Sequence, residues 1–150
     1  RRYFLTAIHQ RLARFERHAE SAAVVFVDVN QLKYINDSFG HAAGDFALLQ
    51  IATRLDESIR ATDVAARIGG DEFGLILDQS SEDGARVQVN RLGHVLSAEP
   101  AIYDGHAITL SACFGIAMLQ IGMTESDILA AADRDMYRNK QQQPGIAGQR

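Results

Sequence analysis

Ala22–Val29 reads AAVVFVDV, an apolar run whose only charge is Asp28, next to its end. A carboxylate there is costly to cover unless something offsets its desolvation. A strand end left in solvent, or a cap for the next helix, is the plainer alternative. A second place of the same kind is Gly69-Gly70-Asp71-Glu72, set between apolar runs at residues 64–68 and 73–77. If the strands bearing these acids are neighbours, Asp28, Asp71 and Glu72 converge at one edge of a sheet. Crowded carboxylates repel one another until a cation neutralises them, and an all-oxygen site suits Mg2+ or Mn2+. Removing one of them is then expected to relieve repulsion in the metal-free state. Gly69 and Gly70 leave backbone uncovered beside the acids, so a phosphate chain could approach closely. Of the 15 Lys and Arg residues only Lys33 and Lys140 are lysines, which reflects either compositional drift or two marked positions.

These residues need elements to hold them. Residues 3–15 carry Phe4, Leu5, Ile8, Leu12 and Phe15 at helical spacing. Ala22–Val29, continuous and β-branched, reads as a buried strand, and a short helix over Leu32–Phe39 leads to Gly40 and His41. From Asp45, the residues Leu48, Ile51, Ala52, Leu55 and Ile59 predict a long helix with one buried stripe. Gly69-Gly70 between apolar runs predicts a hairpin whose tight turn uses positive φ. Ala85, Val89, Leu92 and Leu96 mark another helix, and residues 107–118 read as one long strand containing Thr109, Ser111 and Gly115. The last helix opens at Thr124, with Asp127 completing a capping box. It buries Ile128, Leu129, Ala132 and Met136 and stops at Pro144-Gly145. After the leading helix the order β-α-α-β-β-α-β-α describes one α/β sandwich, with helices packed on a largely antiparallel sheet.

Composition narrows the field. A chain of 150 residues, 47% apolar, is one domain with enough material for a core. A net charge of −4 offers no broad basic face to a nucleic-acid polymer or an anionic membrane. Cys113 is the only cysteine, which excludes an internal disulfide and fits a reducing, cytoplasmic setting. No apolar run approaches the roughly 20 residues that span a bilayer, so no membrane contact is expected of this segment.

Arg67-Ile68-Gly69-Gly70-Asp71-Glu72-Phe73 contains the literal signature of GGDEF domains, the bacterial diguanylate cyclase family, which the chain resembles over nearly its whole length. Asp28-Val29-Asn30-Gln31-Leu32-Lys33-Tyr34-Ile35-Asn36-Asp37 resembles the family's D-x-[DN]-x-[FL]-K-x-x-N-D stretch, and Phe39-Gly40-His41 with Gly44-Asp45 resembles its F/Y-G-H-x-x-G-D segment. Downstream, Thr109, Ser111 and Gly115-Ile116-Ala117 resemble a T-x-S…G-I-A strand. Ala132-Asp133, Tyr137 and Lys140 resemble the closing A-D-x-x-x-Y-x-x-K.

The resemblance implies a nucleotidyl-cyclase fold of polymerase-palm type that condenses two GTP molecules into cyclic di-GMP. Asp28, the Val29 carbonyl, Asp71 and Glu72 would hold Mg2+ or Mn2+, and Gly69 and Gly70 would lie along the triphosphate. Asp71, Glu72 and Lys33 would serve catalysis, and Lys33 and Lys140 would contact phosphates, where a compact ammonium suits a point charge. Asn36 and Asp45 would read guanine, whose adjacent N1–H and N2–H suit a carboxylate acceptor. Arg60 and Asp63 match the family's R-x-x-D site, where product binds and inhibits; a surface ion pair is the plainer reading. Arg67 reads as structural, paired with a nearby acid. Because the family faces two GTP-loaded domains, a homodimer is implied for catalysis.

Two departures matter. The family's opening D-x-L-T-x-L-x-N-R block is missing, so residues 1–150 read as one domain of a longer signalling protein with sensory or output domains attached. After Lys140, Gln141, Gln142, Gln143 and Pro144 stand where the family writes Gly-Arg, which keeps open a second reading: a GTP-binding regulatory module that is catalytically weak.

Overall fold

The computed structural model describes residues 1–142. The chain runs α1 (Arg2–His18), β1 (Ala22–Val29), α2 (Leu32–Phe39), α3 (His41–Ser58), β2 (Val64–Arg67) and β3 (Glu72–Asp78). It continues through α4 (Glu82–Ala98), β4 (Ala101–Tyr103), β5 (His106–Ile108), β6 (Ala112–Met118) and α5 (Glu125–Gln142). Four strands form the main sheet in the order β2-β3-β1-β6, every pairing antiparallel.

Strand β1 is apolar along its length because both faces of the sheet are covered. On one face Val24 and Ile76 meet Phe4 and Ile8 of α1 and Ile128 and Ala132 of α5. On the other, Val25, Leu75 and Leu77 meet Ile51 and Leu55 of α3 and Leu92 and Leu96 of α4. Two strand glycines are seats for helices. A Cβ on Gly74 would lie 2.4 Å from Phe4 Cζ, and one on Gly115 would lie 2.2 Å from the Ala132 carbonyl oxygen. An alanine at Gly74 would have to push the buried Phe4 ring aside, and one at Gly115 meets the α5 backbone itself, which only a shift of the helix relieves.

The start of α5 is closed by a reciprocal cap. The Asp127 N–H donates to Thr124 Oγ1 at 3.2 Å, and Asp127 Oδ2 accepts from the Thr124 N–H at 2.8 Å and its hydroxyl at 2.7 Å. These bonds, the backbone one foremost, hold the Asp127 carboxyl below its ordinary range. Beside it the Glu125 carboxyl is lowered by its own N–H and by His9, whose Nδ1 lies 2.6 Å away.

Three sequence expectations need correction. The third helix opens at His41 rather than Asp45, because Gly40, with φ 86°, both ends α2 and starts α3. Residues 107–118 are not one strand: β4 and β5 form a separate hairpin, and β6 begins only at Ala112. That hairpin turns on Asp104 and Gly105, at φ 46° and 78°, the Asp-Gly pair a type I′ turn favours. The turn between β2 and β3 does not use positive φ, since neither Gly69 nor Gly70 is left-handed. Gly69 is small for another reason: an added Cβ would meet Glu72 Oε2 at 2.4 Å. The expected stop at Pro144-Gly145 lies outside the described residues. Among those residues no helix is long and apolar enough to cross a membrane.

Candidate functional site

The two acidic places are neighbours. Asp28 pairs in register with Glu72, and the Val29 N–H donates to the Asp71 carbonyl at 2.9 Å. On the far side of β1, buried Asn30 donates through its backbone N–H to the Ser111 carbonyl at 2.9 Å and through Nδ2 to Ser111 Oγ at 3.1 Å. The chain leaving β1 is thus tied on both sides, which sets the start of α2. The side chains themselves are less gathered than expected. Among the described residues no three His, Cys, Asp or Glu groups form a metal-holding cluster. Glu72 folds back over Gly69. Among the described residues Arg67 pairs with no acid; it braces the turn, donating to the Gly69 carbonyl at 3.2 Å and the Gly70 carbonyl at 2.7 Å. Among the described residues nothing lies within 4 Å of where a side chain on Gly70 would start.

Asp28 is not bare. Lys140 Nζ lies 2.9 Å from its Oδ1, with the Asp28 side chain 18% exposed and that of Lys140 34%. The reach depends on the register of α5 against the edge strand β6. Asp135 Oδ2 accepts from the Ile116 N–H at 2.8 Å, and Asn139 Nδ2 donates to the Phe114 carbonyl at 2.8 Å and to Asp135 Oδ2 at 3.3 Å. The Cys113 thiol, opposite Asp28 in the sheet, faces the Met136 carbonyl at 3.6 Å, and burial raises its pKa. The sequence reading missed Asp135 and Asn139, although the signal was present. Both continue the buried stripe Ile128, Ala132, Met136, and a polar group on such a stripe needs a partner.

A divalent cation fits these donors. They are all hard oxygens, and the Lys140 ammonium already stands in for a cation on Asp28. Mg2+ usually takes one or two carboxylates and completes its shell with phosphate and water, so a preformed triple cluster is not required. The same donors suit Mn2+.

At the corner where α2 meets α3, half-buried Asn36 lies directly against Gly44: an alanine Cβ there would sit 1.9 Å from Asn36 Oδ1. Asp45, next along and exposed, opens onto a cleft of about 730 Å3 between α3 and β2, lined by Leu48, Leu49, Ala52, Arg67 and Phe73. The cleft therefore connects the Asp45 corner to the base of the acidic turn. A second cleft, about 650 Å3, lies around Arg86, Arg134 and Arg138 and touches none of the expected site residues. Lys33 is exposed on α2 and has no ion pair among the described residues.

Arg60 and Asp63 sit elsewhere. The Asp63 carboxylate accepts from the Arg60 N–H and from the Asp78 N–H, both at 2.9 Å, so it fastens its own turn to the end of β3. Asp78 is the opposite end of β3 from Glu72, roughly 20 Å away at the usual rise per residue. No Arg60–Asp63 ion pair is present among the described residues, and the exposed Arg60 guanidinium has no acid on it.

Comparison with known proteins identifies the family. The profile of the family described as "Diguanylate cyclase, GGDEF domain" matches residues 1–145. The chain is 36% identical over 148 residues to diguanylate cyclase TpbB of Pseudomonas aeruginosa, covering 97% of this chain and 34% of that protein. It therefore spans about a third of that relative's length. The solved GGDEF domain of TpbB superposes with a TM-score of 0.90 at 34% identity, covering 97% of this chain and 86% of that one. A microbial GGDEF domain solved in interaction with cyclic di-GMP gives a TM-score of 0.81 at 30% identity, covering 94% and 86%.

Proposed function

The chain belongs to the GGDEF domain family, and from that premise we propose that it condenses two GTP molecules into cyclic di-GMP, releasing two pyrophosphates. The observation that carries this reading is the meeting of Asp28, the Asp71-Glu72 turn and Lys140 at one sheet edge, with Asn36 and Asp45 at the adjoining corner.

Asp45 accepts from the guanine N1–H and N2–H, and Asn36 adds a further bond to the same edge. Adenine offers no such pair of donors, so it leaves the Asp45 acceptors without the bonds that guanine supplies. Gly69 and the open space at Gly70 receive the triphosphate, whose charge Lys33 and Lys140 balance. Asp28, the Val29 carbonyl, Asp71 and Glu72 are the residues to hold Mg2+ or Mn2+, which when bound neutralises the α-phosphate and the leaving pyrophosphate. In this reading the Asp71 and Glu72 carboxylates activate the attacking 3′-hydroxyl by accepting its proton. Each 3′-hydroxyl attacks the α-phosphate held by a second copy of the domain, so one copy is half a catalytic unit. Cyclic di-GMP then binds back at Arg60 and Asp63, well away from the acidic turn. The setting is cytoplasmic, with sensory or output domains joined to this one.

The test is incubation with GTP and Mg2+, with the chain alone and fused to a parallel coiled coil, followed by chromatography for cyclic di-GMP. The fusion should raise the rate by raising effective concentration. A rate per molecule that does not change with concentration in the unfused chain refutes the two-domain scheme. A second reading is favoured by the residues after Lys140, where Gln141 and Gln142 replace the family's Gly-Arg. It makes the chain a GTP-binding regulatory module, and GTP binding without product in either form would establish it.

A further inference from the structure

Lys140 is held against Asp28 by more than attraction. The absence of a side chain at Gly115 lets the α5 backbone lie directly on β6, where a Cβ would meet the Met136 nitrogen at 2.3 Å. Asp135 and Asn139, one turn apart, then bond the outward N–H of Ile116 and carbonyl of Phe114. These bonds fix both the rotation and the register of α5, and the residue after Asn139 is Lys140, whose ammonium arrives 2.9 Å from Asp28 Oδ1.

We propose that Lys140 is a resident counter-ion of Asp28 which a divalent cation must displace, with Asp135 and Asn139 as the residues that position it. The inference rests on the reading of Asp28 as a metal ligand. A carboxylate as covered as Asp28 is stabilised by a compensating charge. The ammonium supplies it in the empty domain. A dication arriving on the same oxygens repels the ammonium, and the flexible stem of Lys140 lets it swing to any phosphate bound at that edge. Coupling of this kind is reciprocal: the metal loosens Lys140 by the same factor by which Lys140 weakens the metal. The site thus resists metal alone and loads metal and triphosphate together.

The test measures Mn2+ binding without nucleotide, by electron paramagnetic resonance or calorimetry, in the wild type and in Lys140→Met, Lys140→Arg, Asn139→Ala and Asp28→Asn. Lys140→Met keeps most of the stem and removes the charge, so it should bind Mn2+ roughly tenfold tighter. Lys140→Arg, which keeps the charge, should stay near the wild type. Asn139→Ala should move the same way as Lys140→Met by a smaller factor, because Lys140 is present but no longer held. Structural damage alone would weaken binding, so a gain in affinity is specific to the exchange. Unchanged or weaker Mn2+ affinity in Lys140→Met, with the wild type binding Mn2+ and Asp28→Asn not, overturns the counter-ion role and leaves the metal reading standing. Asp28→Asn binding Mn2+ as the wild type does, or no form binding it even with a non-hydrolysable GTP analogue added, overturns the metal reading and this inference with it.

Discussion

Gly44→Ala separates the proposed role of the α2–α3 corner in base recognition from its role in folding. An alanine Cβ at this position would lie 1.9 Å from Asn36 Oδ1 and 2.8 Å from Asn36 Cγ, closer than real contacts allow. Asn36 must therefore turn away by more than an ångström. It is half-buried on α2, so it can do so at the cost of a poor rotamer, about 0.5–1.5 kcal/mol. Against that, exchanging glycine for alanine in the first turns of α3 gains up to about 1 kcal/mol of helix propensity. The two effects nearly cancel, and the melting temperature should move by only a few degrees. Binding has no such compensation. With Asn36 turned away, one guanine contact is lost and its partner left unpaired, which costs about 1–3 kcal/mol, or roughly 5- to 150-fold in affinity. Calorimetry with a non-hydrolysable GTP analogue and Mg2+ on the wild type, Gly44→Ala, Asn36→Ala and the double variant reads this directly. Both single variants should lose a similar factor, and the double should be little worse than either, because the two changes remove one interaction. Wild-type affinity and an undiminished preference for GTP over ATP in Gly44→Ala would refute the argument.

Other outcomes follow from the same contacts. Asp71→Ala and Asp28→Ala should each abolish metal-dependent GTP binding in a filter or calorimetric assay while circular dichroism stays native. Because Asp28 is paired with Lys140, removing it should not stabilise the metal-free domain, contrary to expectation from crowded carboxylates alone. Gly115→Ala forces a Cβ against the backbone of α5, which no side-chain rotation relieves, so urea denaturation should show a loss of about 1–3 kcal/mol; an unchanged midpoint contradicts the seat. Arg60→Ala should weaken cyclic di-GMP binding by calorimetry and spare initial GTP turnover, whereas Asp63→Ala should also destabilise the domain because the Asp78 N–H loses its acceptor. Asp127 titrates below its ordinary range in the folded chain, so its contribution is present above pH about 4 and is lost as pH falls through the lowered value. Asp127→Asn should therefore melt below the wild type at neutral pH, and the gap should close on acidification.

What the chain's pattern disclosed, and what it hid, divides along a physical line. Local signals were legible: β1 and α2 fall where their apolar runs and breakers place them, and the Thr124–Asp127 cap is a bond between residues three apart. The neighbouring of Asp28 and Glu72 could be stated only as a condition, because strand order is decided by burial on both faces of the sheet at once. The β4–β5 hairpin was hidden by its own composition, since residues 107–118 are apolar enough to pass for one strand even with Asp104-Gly105 just upstream. Gly69 does not use the positive φ expected of it, and a neighbouring carboxylate needs the room instead. Asp135 and Asn139 were overlooked because their partners lie 19 and 25 residues away on β6 and have no signature of their own.

The bonds that Asp135 and Asn139 make to β6 also give the sheet a direction of growth. A bare edge strand is a template, open to any extended chain that offers a complementary ladder. At β6 two of the template's groups are consumed by side chains, and a side chain, unlike a strand, presents no second row of groups to copy. Extension on that side must first evict α5. The remaining edge is β2, four residues long and ending at Arg67, which is turned to the glycine carbonyls of the acidic hairpin. Any strand added to this sheet therefore arrives beside the hairpin that bears Asp71 and Glu72.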